Sequence, residues 1–190
     1  NIRDIYNRDL KIVHQDINPP NIMISYSGDV KILDFGIAQC LNYENLQSIE
    51  ERIIKGKLGY MSPEQVSGKD IDIRTDIFST GVLLFEMLTM ERLFYSFEKE
   101  KTIKMIKKAK IPKITKINTK INSSLEKIIL KALHKKARKR FQTAIEFKTA
   151  LESLTDNLTI NIRKERIGAL MAELWQQSTK ESMEKTLKSL

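Results

Sequence analysis

His14-Gln15-Asp16-Ile17-Asn18-Pro19-Pro20-Asn21 opens the stretch on which the fold turns, and Asp34-Phe35-Gly36 closes it. Between them, Asn21 to Ser25 has strand character, with Ile22 and Ile24 on one face and Met23 on the other. Tyr26-Ser27-Gly28-Asp29 makes a tight turn in which Gly28 supplies a positive φ. Val30 to Leu33 returns as a second strand. The expected unit is a β-hairpin, and a hairpin brings its two ends together, so Asn21 and Asp34 are expected side by side.

A carboxylate and an amide oxygen in that position suit a hard divalent cation such as Mg²⁺, which favours oxygen ligands and phosphate partners. Asp16, five residues before Asn21 on the same loop, can accept a proton from an attacking hydroxyl. No Ser-His or Cys-His nucleophile pair accompanies them. A base beside a metal pair points to phosphoryl transfer, where positioning and charge neutralisation carry the chemistry.

Outward from this stretch, the chain of 190 residues has 41% apolar and 30% charged residues. That is enough for one folded domain and excludes disorder as the default. No apolar run approaches the ~20 residues of a spanning helix. Asn1-Ile2-Arg3-Asp4 lacks the apolar core of a secretory leader. Cys40, the single cysteine, excludes an internal disulfide and a multi-cysteine zinc site, and a cytoplasmic setting is expected. The net charge is +9, yet Lys99 to Arg140 holds 16 Lys and Arg against two acids, Glu100 and Glu126, leaving the rest net acidic by about five charges. A solvated basic face is the preferred reading over an anion-docking surface. No aromatic residues interleave with the lysines for base stacking, which argues against nucleic acid.

Residues 37–62 show no sustained periodicity and are expected to form a long surface loop. Thr75 to Met90 is strongly apolar and predicts a buried helix. Glu98 to Ala109 predicts a basic helix, Ile111 to Asn122 a proline-containing connection. Capping boxes at Ser123-Ser124-Leu125-Glu126 and Thr143-Ala144-Ile145-Glu146 predict two helix starts. Arg163 to Trp175 predicts a last amphipathic helix, with Trp175 as its docking anchor.

The loop and Asp34-Phe35-Gly36 resemble the catalytic loop and metal-binding motif of eukaryotic-like protein kinases. Tyr60-Met61-Ser62-Pro63-Glu64-Gln65 resembles the end of their activation segment, and Asp76-Ile77-Phe78-Ser79-Thr80-Gly81 the start of their central C-lobe helix. Arg138-Lys139-Arg140-Phe141 resembles their late basic motif. The match runs from Lys11 to Leu154. Gly56-Lys57-Leu58-Gly59-Tyr60 and Arg92-Leu93-Phe94 are most similar to a bacterial serine/threonine kinase subgroup, whose kinase domain is often followed by a helical extension.

This resemblance implies an α+β, mostly α fold: a kinase C-lobe with a small hairpin over 1–154, and a helical extension over 155–190. It implies ATP-dependent phosphorylation of protein Ser/Thr, with ATP and Mg²⁺ as cofactors and a protein as substrate. Asp16 would be the catalytic base, while Asn21 and Asp34 would hold Mg²⁺ against the ATP phosphates. His14, Phe35, Gly36, Glu64, Asp76 and Arg140 would be structural supports. In particular, His14 would pack under Phe35, Asp76 would accept backbone N–H groups of the catalytic loop, and Glu64 would pair with Arg140.

Three departures from the family pattern matter. Gln15 replaces an Arg that would pair with a phosphorylated activation segment, implying activity independent of that phosphate. Asn18 replaces a Lys that contacts the transferred phosphate, and Lys57, where a Thr is usual, is a candidate substitute. The Gly-rich loop, strand Lys and helix Glu of a kinase N-lobe are not found before Lys11. The chain is therefore expected to be an incomplete domain, inactive by itself, with a lobe surface that the N-lobe or a partner would cover. The alternative is an inactive kinase-like lobe serving as a scaffold.

Overall fold

The computed structural model describes residues 12–34, 57–154 and 164–177. Most of these are helical, with one two-stranded antiparallel sheet. Two compact units are distinguished: residues 12–21, 34 and 57–154 form one, and 22–33 with 164–177 form the other.

The first unit is built on α1, Ile73–Thr89. Its start is set by Asp72, whose side chain accepts the Arg74 N–H at 2.9 Å, and its end by Met90, which takes a left-handed conformation. Ile77, Phe78, Val82 and Phe85 of α1 are all but fully buried. Burial of that kind stabilises by about 1.5–3 kcal/mol per large apolar side chain. Around α1 stand α2 (Lys99–Lys108), the single turn α3 (Ile114–Ile117), α4 (Ser123–Ala132) and α5 (Ala144–Glu152). One core cluster joins Phe78, Val82 and Phe85 to Leu58, Met61, Leu93, Phe94, Ile106, Ile114, Ile129 and Leu133. A second joins Ile77, Ala132, Phe141 and Phe147. At Gly81 a Cβ would come within 3.1 Å of the Leu133 side chain, so the absent side chain is what lets α1 and α4 approach.

Three local expectations change. Residues 37–56 of the expected long loop, with Cys40, lie outside the described residues, as do Phe35 and Gly36 of the motif before it. Its end does have structure, a 3₁₀ turn over Leu58–Tyr60. The connection over 111–122 contains α3. The cap of α4 is Asn122 rather than Ser123: the Asn122 side chain accepts the Leu125 N–H at 2.7 Å. Glu126 is drawn away from the helix start to accept the Thr115 N–H of α3 at 3.0 Å. Thr143 does cap α5, accepting the Glu146 N–H at 3.1 Å.

In the second unit, β1 (Ile22–Ile24) and β2 (Val30–Ile32) pair in the register Ile22↔Ile32, Met23↔Lys31, Ile24↔Val30. Gly28 has φ +81°, and its N–H bonds to the Ser25 carbonyl at 2.9 Å. A helix over 164–177, α6, belongs to the same unit and packs on this turn, with Lys164 Nζ 2.6 Å from Asp29 Oδ1. Tyr26 and Trp175 meet edge to face at 5.8 Å.

Candidate active site

The loop over 12–18 has no regular structure, so its shape comes from side chains reaching into its backbone. Asp76, in the first turn of α1, accepts the N–H of His14 at 2.7 Å and of Gln15 at 2.8 Å. The carbonyl on the other side of Gln15 is taken by Gln65 Nε2 at 2.9 Å. Gln15 is thereby held at φ 64°, a left-handed conformation that costs a non-glycine residue energy. Burial pushes the Asp76 carboxyl above its ordinary range, and the two N–H donors only partly offset it.

This clamp presents Asp16, which is 6% exposed. Asn18 Nδ2 donates to Asp16 Oδ1 at 2.7 Å, and Asn21 Nδ2 donates to Oδ2 at 2.9 Å. Both amides also donate to the Asp16 carbonyl at 2.8 Å. Lys57 Nζ stands 2.6 Å from Asp16 Oδ2, forming an ion pair across 41 positions of chain. Asp16 is thus fixed by two amides and a cation. His14 is buried, and its Nδ1 accepts the Asp16 N–H at 3.3 Å, a placement that supports the loop.

Asn21 ends a 3₁₀ turn over Pro19–Asn21 and directly precedes β1. With its nitrogen committed to Asp16, its Oδ1 is the group left to act as a ligand. Asp34, two residues beyond β2, is exposed and takes φ 65°. An amide oxygen and an exposed carboxylate are donors that Mg²⁺ accepts, and a phosphate-bound Mg²⁺ needs only one or two protein oxygens. Among the described residues no three His, Cys, Asp or Glu gather into a metal cluster, so a denser zinc-like set is not present there. Asn18 Oδ1 is buried with no hydrogen-bond partner among the described residues, an acceptor at the edge of the Asp16 cluster.

Glu64 and Arg140 are paired through Nη1–Oε1 at 2.5 Å and Nη2–Oε2 at 2.8 Å. Arg140 spends its other donors on the carbonyls of Arg74, His134 and Lys135, and its guanidinium lies 4.7 Å above the Phe78 ring. Thr75 Oγ1 donates to Glu64 at 3.0 Å. The residue that sequence reasoning passed over is Gln65. It accepts the Ser62 N–H at 2.9 Å while holding Gln15, so it ties the segment over 57–65 to the Asp16 loop. Its one signal was an uncharged polar side chain directly after Pro63-Glu64, and that signal has no period to detect.

The protein kinase domain family model matches residues 3–153, and the chain belongs to that family. The chain is 48% identical over 85 residues to the tyrosine-protein kinase MasK of Myxococcus xanthus. It is 40% identical over 89 residues to a probable serine/threonine-protein kinase of Streptomyces coelicolor, and 41% over 83 residues to the serine/threonine-protein kinase PknB of Mycobacterium tuberculosis. These matches take in 44–47% of the chain and 13% of each relative's length.

Proposed function

We propose that the protein to which this incomplete lobe belongs phosphorylates Ser or Thr hydroxyls of proteins with ATP and Mg²⁺, Asp16 being the catalytic base. The observation that carries the reading is the buried Asp16 carboxylate, held by Asn18, Asn21 and Lys57 within 2.9 Å. The acceptor O–H proton passes to Asp16 as the oxygen bonds to the γ-phosphorus and the bond to ADP breaks. Asn18 and Asn21 orient the base. Lys57, paired with Asp16 at 2.6 Å, would be the cation that steadies the transferred phosphoryl group, the task of the Lys that Asn18 replaces. Bound Mg²⁺ would neutralise phosphate charge, and Asn21 and Asp34 are the residues that would hold it. The kinase lobe extends to residue 154, with an extension over 155–190, and the reaction takes place in the cytoplasm. No described helix is long and apolar enough to cross a membrane.

The test uses the complete gene product with a protein substrate. Asp16→Asn should abolish turnover, and Lys57→Met should lower kcat by about a hundredfold, the scale of one preorganised electrostatic contact. Asn21→Ala and Asp34→Ala should raise the Mg²⁺ concentration for half-maximal rate. Phosphoamino-acid analysis should return phosphoserine or phosphothreonine, and phosphotyrosine alone would overturn the acceptor class. Full turnover in Asp16→Asn would overturn Asp16 as the base, and absence of turnover in the unaltered gene product would overturn the whole reading in favour of a scaffold.

A further inference from the structure

The hairpin that separates Asn21 from Asp34 is slight. It has two strands of three residues, and Met23, Ile24, Val30 and Ile32 are all exposed. A two-stranded hairpin of this size is marginal in water, and a slip of one residue would turn every side chain to the other face. What it does have is a seat for α6. Gly28 and Gly168 face one another there: a Cβ on Gly28 would overlap the Lys164 carbonyl oxygen, and a Cβ on Gly168 would stand 2.7 Å from the Tyr26 carbonyl oxygen. The backbones of helix and turn meet directly, and both glycines are required for it. The Lys164–Asp29 ion pair at 2.6 Å and the Tyr26–Trp175 contact at 5.8 Å flank the junction. Three different kinds of interaction therefore converge on a four-residue turn.

We propose that α6 is a positioning element for the Mg²⁺-ATP site, seated by Gly168 on the hairpin turn and acting through the two strands that are covalently joined to Asn21 and Asp34. The inference rests on the reading of those two residues as the metal ligands. Seating of α6 holds the strand register, and the register sets which residues stand opposite at the hairpin's open end. Gly168 is a positioning residue whose contacts are with Tyr26, Ser27 and Gly28, and its effect passes through the turn.

The test uses the complete gene product, with amide hydrogen exchange over 22–33 read beside Mg²⁺ dependence. Gly168→Leu should speed hairpin exchange and raise the half-saturating Mg²⁺ concentration roughly tenfold, within the usual range of coupling between sites, while the KM for protein substrate stays unchanged. Lys164→Glu and Asp29→Lys should each do part of this, and the double charge reversal should restore both readouts. Unchanged hairpin exchange in Gly168→Leu overturns the seat. Faster exchange with unchanged Mg²⁺ dependence overturns the positioning role. Should Gly168→Leu fail to fold, the charge reversals at these two partly exposed side chains decide the same question. Asn21→Ala and Asp34→Ala separate the two levels: if neither shifts Mg²⁺ dependence, the metal-ligand reading itself is overturned, whatever α6 does.

Discussion

Arg140 is 2% exposed, and such a buried guanidinium persists only when its donors are used and its charge is met. Glu64 meets it. Burial alone would raise the Glu64 pKa, but the hydrogen bonds and charge of Arg140 outweigh burial and hold it below the ordinary carboxylate range. A depressed folded-state pKa contributes stability above the unfolded value and loses it as pH falls through the folded one. Arg140→Met should cost about 3–5 kcal/mol in denaturant unfolding at pH 7, because Glu64 is left charged and unpaired. Much of that deficit should vanish in acid, where Glu64 is neutral; an equal deficit at both pH values would discard the account. Asp76 has the opposite sign. Its raised pKa is a stability penalty present above the folded value and relieved as pH falls, so it partly masks the acid loss from Glu64. The penalty is the cost of holding the His14 and Gln15 N–H groups in place.

Helix starts show how a local pattern can be right in kind and misplaced by a residue. Ser123-x-x-Glu126 satisfies the capping-box spacing, yet Asn122 offers a stronger cap one position earlier, and Glu126 has a better use. The buried Glu126 carboxylate accepts both the N–H and the hydroxyl of Thr115, joining α4 to α3. Asn122→Ala should therefore cost ~1 kcal/mol of stability, and Ser123→Ala only a few tenths. Thermal unfolding of the two variants checks this, and the reverse order would return the cap to Ser123. At α5 the pattern is nearly complete: Thr143 caps, while Glu146 accepts the Gln142 N–H at 2.8 Å, one residue before the position a capping box uses.

Across the molecule, the Asp16 loop is held by Asp76, Gln65 and Lys57, where an Arg at position 15 would have required a phosphate. Gln15 is 8% exposed, its N–H bonded to Asp76 and its carbonyl to Gln65. Phosphatase treatment of the complete gene product should leave turnover within about twofold, since no phosphate-binding Arg stands at that position. Loss of turnover would refute it. The order of the motifs, the β1–β2 hairpin with its Gly28 turn, and the buried α1 were legible in the sequence. Each is written in local spacing: strand alternation, a left-handed turn residue, a long apolar run. The family resemblance also named Glu64 and Arg140 as partners. What local spacing cannot encode is which distant side chains meet. Lys57 reaches Asp16 across 41 positions and Gln65 reaches Gln15 across 50, and both contacts exist only because α1 and the segment over 57–65 pack against the loop. The sequence by itself determined the family, the hairpin, the longer helices and the acids of the loop. Tertiary packing alone decided that Asp16 is buried, cation-paired and fixed in orientation, because burial and long-range contact are properties of the folded chain.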